Sequence, residues 1–80
     1  MKIAFLEDGL HMQQKLQRVL AKAYPAAAVT AFATLVSALA FAKVEPQDLW
    51  LVDLGLPDGS GIDLIRLVRE VFPQTNILVI

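Results

Sequence analysis

The chain contains no cysteine. Disulfides and thiolate zinc sites are therefore excluded, and cysteine usage says nothing of the redox compartment. Neither sign of charge is in surplus. Seven Lys and Arg against eight Asp and Glu give a net charge of −1, so no basic field invites nucleic acid. No apolar run reaches the roughly 18–20 residues of a membrane span. The opening run Ile3–Leu6 is too short for the core of a signal peptide. These absences lead us to expect a soluble, cytoplasmic domain with no membrane contact and no direct contact with nucleic acid. What is abundant is apolar side chain, at 56% of 80 residues. A chain this short buries only about 60–65% of its unfolded surface. Such a composition suits strands buried on both faces, or a piece of a larger body.

Read in order, Ile3–Leu6 is a continuous apolar run that predicts a buried strand, with Glu7 and Asp8 at its carboxyl end. Asp8 can also cap the next element, a helix over Leu10–Tyr24. There Met12, Leu16, Val19, Leu20 and Ala23 recur at helical spacing, and Pro25 ends it. Ala28–Ala33 predicts a second strand. Thr34 has the chemistry of an N-cap, and Leu35–Lys43 that of a short helix. After the polar loop Glu45–Asp48, Leu49–Val52 predicts a third strand, with a core role for Trp50. Ser60-Gly61-Ile62-Asp63 approximates a capping box for a helix whose apolar face is Leu64, Leu67, Val68, Val71 and Phe72. Pro73 breaks that helix, and Ile77–Ile80 predicts a fourth strand. Strand and helix alternating three times, then a strand, predicts a parallel α/β sheet.

The chemistry gathers at the strand ends. Asp53 closes the third strand, and a loop rich in Gly and Pro follows, Leu54-Gly55-Leu56-Pro57-Asp58-Gly59-Ser60-Gly61. In sheet order 2-1-3-4 the first and third strands are neighbours, so Glu7, Asp8 and Asp53 converge where the sheet changes direction and a crevice opens. Three like charges are unfavourable together. A hard divalent cation such as Mg2+, which favours oxygen ligands, relieves the conflict. It would also offset charge as a phosphoryl group reaches Asp53, a carboxylate able to form an aspartyl phosphate. Taken singly, Asp53 also suits a turn, and Glu7-Asp8 the start of a helix. The glycines do not make a Walker loop, which needs a Lys; a tight turn explains them better. His11, alone on its helix, reads as solvent-facing.

The acidic pair, the strand ending in Asp53, and Leu56-Pro57-Asp58-Gly59-Ser60-Gly61 together resemble the receiver domain of bacterial response regulators, over Lys2 to Ile80. The resemblance implies a flavodoxin-like, doubly wound parallel sheet of order 2-1-3-4. On this reading residues 1–80 are an incomplete receiver, truncated before the fifth strand and lacking the last helices and any output domain. It implies that Asp53 accepts a phosphoryl group from a sensor histidine kinase. It also implies that Mg2+ is held by the side chains of Asp8 and Asp53, by the Gly55 backbone carbonyl, and by Glu7 through water. The family's Ser or Thr switch residue and its Lys would lie beyond Ile80. The implied role is a phosphoacceptor rather than an enzyme, controlling an output domain that often binds DNA. Two alternatives stand beside it: a non-phosphorylated receiver-like interaction module, and a phosphatase of the haloacid-dehalogenase type. The phosphatase wants a second Asp two positions after the first, where this chain has Gly55. With the fourth strand as an apolar edge, the chain is expected to self-associate, as a dimer or by swapping.

Overall fold

Consecutive Ile, Ala, Phe and Leu favour extended backbone, and strand β1 covers Lys2–Leu6. A computed structural model describes residues 1–80. Helix α1 (Leu10–Ala23), strand β2 (Ala28–Phe32), helix α2 (Leu35–Ala42) and strand β3 (Leu49–Val52) follow. A short hairpin, β4 (Gly55–Leu56) and β5 (Gly59–Ser60), precedes helix α3 (Gly61–Val71), and strand β6 (Asn76–Val79) ends the order. The main sheet runs β2-β1-β3-β6 with every pairing parallel. This is the expected order 2-1-3-4, with β6 as the fourth sheet strand.

Register is set by the two-residue period of the strands. Ala4 and Leu6 of β1 stand opposite Trp50 and Val52 of β3. All four join Leu35, Ala38, Ala42, Leu64 and Val68 in the larger core, between the sheet and helices α2 and α3. Ile3, Phe5 and Leu51 point to the other face, where Leu20 of α1 completes a smaller core. A slip of one residue would exchange the two sets, so both faces oppose it. The sheet grows from β1 toward β2 and from β3 toward β6. The direction changes between β1 and β3, and their carboxyl ends open there.

The expectations for the helices need three corrections. Asp8 does not cap α1. Gly9 is the N-cap, in extended backbone and without a side-chain bond. The apolar stripe of α1 is only partly buried: Leu20 enters the core and Leu16 packs beside it, but Met12 and Val19 are 42% and 53% exposed and Ala23 is also exposed. The smaller core draws on α1 alone among the helices, so nothing covers the flank of its stripe. At α3, Ser60 Oγ accepts from Ile62 N at 3.2 Å, but Asp63 returns no bond, so half of the capping box forms. Thr34 behaves as expected, its Oγ1 accepting from Ser37 N at 3.3 Å.

Strand β6 lies at the sheet edge, and Leu78 and Val79 remain 57% and 50% exposed. An apolar edge with unpaired backbone groups is a template for a further strand. The 80-residue chain should therefore sediment as a dimer or larger species at micromolar concentration, and Leu78→Lys should restore the monomer. A wild-type chain that sediments as a single 8.8 kDa species contradicts this.

Candidate functional site

The site is built from two strand ends. The β1 backbone continues one residue past Leu6, where Glu7 N donates to Phe32 O of β2 at 2.9 Å. β3 likewise continues to Asp53, whose N donates to Leu6 O at 3.0 Å. These two ladder bonds place Glu7 and Asp53 side by side. One carboxylate oxygen from each of Glu7, Asp8 and Asp53 lies within 4.8 Å of the others. Glu7 and Asp53 are half-buried and Asp8 is exposed.

Local amide bonds orient the first and third of these carboxylates. Gly9 N donates to Glu7 Oε2 at 3.2 Å, while Gln13 Nε2 fixes the Glu7 backbone by donating to its carbonyl at 2.6 Å. Gly55 N donates to Asp53 Oδ1 at 3.1 Å. Burial pushes the Glu7 carboxyl above its ordinary value; the Gly9 amide opposes the shift, and the neighbouring Asp53 and Asp8 carboxyls reinforce it. A carboxyl whose ionisation is opposed by burial and further by neighbouring carboxylates is one that a cation would relieve. The donor set is all carboxylate oxygen, with two of the three groups partly screened from water. It fits a hard divalent ion such as Mg2+.

The loop after Asp53 is more ordered than the tight turn expected from its glycines. Gly55 pairs with Ser60 and Leu56 with Gly59, leaving Pro57 and Asp58 as the hairpin tip. Pro-Asp-Gly is a known turn signature, so the hairpin had a local signal. The role of Asp58 had none. Its carboxylate reaches the start of α2 and accepts from Leu35 N at 3.0 Å and Val36 N at 3.1 Å. Those two bonds hold the Asp58 carboxyl below its ordinary value. Gly61 follows the hairpin at the first turn of α3, pressed against the Asp53 backbone, and its N donates to Leu54 O at 3.0 Å. Gln13 also escaped the sequence reading, because polar residues on a helix surface carry no mark of what they bond.

His11 is exposed on α1, as expected. No helix is long and apolar enough to cross a membrane.

Comparison with known proteins agrees with this geometry. The family model described as "Response regulator receiver domain" matches residues 3–80. Response regulator protein PilR of Pseudomonas aeruginosa is 50% identical over 36 residues, which is 45% of this chain and 8% of that protein. Among solved structures, the response regulator DrrB of Thermotoga maritima is 27% identical with a TM-score of 0.83, over 98% of this chain and 34% of that one. A response regulator of Burkholderia pseudomallei, solved with a phosphorylated aspartic acid, a calcium ion and citrate, is 28% identical with a TM-score of 0.84, over 98% of this chain and 45% of that one. The chain thus spans less than half the length of each of these relatives. With its sheet order, its acidic strand ends and a family match over nearly all its residues, the chain belongs to the response regulator receiver domains.

Proposed function

We propose that Asp53 is the phosphoryl acceptor of this receiver, taking the group from a phosphohistidine on a sensor kinase. The observation that carries this reading is the convergence of Glu7, Asp8 and Asp53 at the carboxyl ends of β1 and β3. A carboxylate is a competent nucleophile when it is held and its charge is balanced. Gly55 N, on Oδ1, fixes the rotation of the Asp53 carboxylate. An Asp53 oxygen attacks phosphorus, a P–O bond forms, and the P–N bond breaks with its electron pair passing to the imidazole nitrogen. The phosphohistidine leaves with its other ring nitrogen protonated, so the products are an aspartyl phosphate and a neutral histidine on the kinase.

Asp8 and Asp53 would hold Mg2+ by their side chains and Gly55 by its carbonyl, with Glu7 acting through water. When bound, the ion supplies charge neutralisation at the phosphoryl oxygens. The Gly9 amide holds the Glu7 carboxylate, and Gln13 ties the Glu7 backbone to α1. The chain acts as a stoichiometric acceptor, not as an enzyme turning over a soluble ester. Its phosphorylation would serve a downstream output, one that binds DNA in many regulators. The Burkholderia structure, with its phosphorylated aspartic acid, supports the same chemistry in a relative.

The test is mass spectrometry of the intact chain after incubation with Mg2+ and a small acyl phosphate. Wild type should gain one phosphoryl group and Asp53→Asn none. Equal modification of the Asn variant would overturn Asp53 as the acceptor. Continuous release of phosphate from a generic ester, abolished in the same variant, would favour the phosphatase reading instead.

A further inference from the structure

Asp58 spends a charged side chain on a contact that the helix receiving it does not require. Helix α2 already has its own cap: Thr34 Oγ1 takes Ser37 N, and Thr34 O takes Ala38 N at 3.2 Å. The two amides before these, Leu35 N and Val36 N, lie at the first turn of a surface helix, where water normally serves such groups. Here they are taken by a carboxylate 22 and 23 residues further along the chain. The bonds are charge-assisted and lie at the positive end of the helix dipole.

The other end of that contact is the hairpin that governs Asp53. Two strands of two residues each are marginal without outside support. The hairpin is tied at its base by Gly61 N to Leu54 O and at its tip by Asp58. Between them, Gly59 rests directly on α2. A Cβ at Gly59 would stand 2.7 Å from Leu35 Cδ2, and its φ of +151° lies where side chains are disfavoured. The first hairpin residue, Gly55, supplies the amide on Asp53 Oδ1. A continuous path therefore runs from the α2 amides through Asp58, the hairpin and Gly55 to the Asp53 carboxylate.

We propose that Asp58 is a positioning residue for the Asp53 site: by docking the hairpin on α2, it holds the Gly55 amide against the Asp53 carboxylate. The positioning itself rests on hydrogen bonds within the chain. Its consequence for metal and phosphoryl group rests on the function proposed above. The Leu35 and Val36 amides favour the ionised Asp58 carboxylate, so the clamp stays charged further into the acid range, which agrees with a fixed rather than a switching role.

The experiment compares Asp58→Ala, Asp58→Asn and Thr34→Ala in the 80-residue chain, by amide NMR without metal and by Mg2+ titration. Loss of the clamp should move the Gly55 amide proton upfield, away from the position of an amide bonded to carboxylate. It should also raise the Mg2+ concentration for half-saturation about tenfold, as loss of an outer-sphere partner typically does. Asn, which keeps one acceptor oxygen on the same stem, should give an intermediate result. It tests the same contact should the Ala variant fail to fold. Thr34→Ala weakens the cap of α2 without touching the hairpin, so it should disturb Ser37 and leave Gly55 in place. If the Leu35 and Val36 amides change in Asp58→Ala and Gly55 does not, Asp58 is only a helix cap and the proposal is overturned. Equal disturbance of Gly55 by Thr34→Ala would overturn it as well. If Gly55 responds as expected but the wild type binds no Mg2+, the positioning role stands and the metal reading falls.

Discussion

Gly61→Ala should destabilise the chain and displace its acceptor, although helix propensity alone argues the opposite. Alanine within a helix is favoured over glycine by about 1 kcal/mol. At Gly61, however, an added Cβ would lie 2.2 Å from Asp53 O, 2.7 Å from Val52 Cγ1 and 3.0 Å from Asp53 C. The first and third of those atoms are backbone and cannot swing aside. Either α3 retreats or the end of β3 moves, and overpacking of this kind typically costs ~1–3 kcal/mol. With backbone as the obstacle, we expect the upper part of that range and a net loss of about 1–2 kcal/mol after the propensity gain. The functional effect should be larger. A shift near 1 Å in a reacting group can cost on the order of a hundredfold in rate, so acceptance from an acyl phosphate should fall by tens of fold or more. Gly55→Ala is the control for stability, because nothing lies within 4 Å of its added Cβ. Urea denaturation of the two variants and the phosphorylation rate of Gly61→Ala decide the matter. A Gly61→Ala chain as stable and as reactive as wild type would contradict the close approach.

Trp50→Ala should remove most of the stability of the fold. Trp50 is 1% exposed and packs from β3 against Phe32 and Phe41, with ring centroids 5.8 and 6.4 Å away. Phe32 and Phe41 are themselves 4.8 Å apart, so the three rings form one cluster joining β2, α2 and β3. Truncating a buried Trp to Ala typically costs ~3–5 kcal/mol. A domain of this length holds only ~4–12 kcal/mol in total. The variant should thus be largely unfolded at the low end of that range, and markedly weakened at the high end. Circular dichroism in the far ultraviolet follows this without relying on the lost fluorophore. A loss below about 1 kcal/mol would mean that the site collapses around the missing ring, contrary to close packing. Phosphoryl acceptance should fall in step with the folded fraction, since β3 carries Asp53 at its end.

Much of the architecture was legible because it is local or periodic. The apolar runs Ile3–Leu6 and Leu49–Val52 announce strands buried on both faces, and the structure buries every residue of the first. Thr34 and Ser60 announce helix starts, and both side chains accept amide bonds there. The acidic residues after β1 and β3 announced a crevice once the order 2-1-3-4, which the family resemblance implied, set those strands side by side. The exposure of Met12 and Val19 was not legible. A helical stripe shows which side of a helix is apolar, but not whether a neighbouring element reaches far enough to cover it.

The sequence by itself determined the order of elements, the two-faced register of β1 and β3, and the identity of the carboxylates that meet. Those features depend on period, propensity and chain order, which are written residue by residue. Tertiary structure decided how the carboxylates and their loop are held. Asp58 finds Leu35 and Val36, Gly61 presses on Asp53, and Gln13 turns to the Glu7 carbonyl. Two of these three contacts are set by packing rather than by local pattern. Asp58 and Val36 are 22 positions apart, and nothing in that stretch signals that the two will meet; a glycine without a Cβ shows its purpose only once another backbone stands where that atom would be.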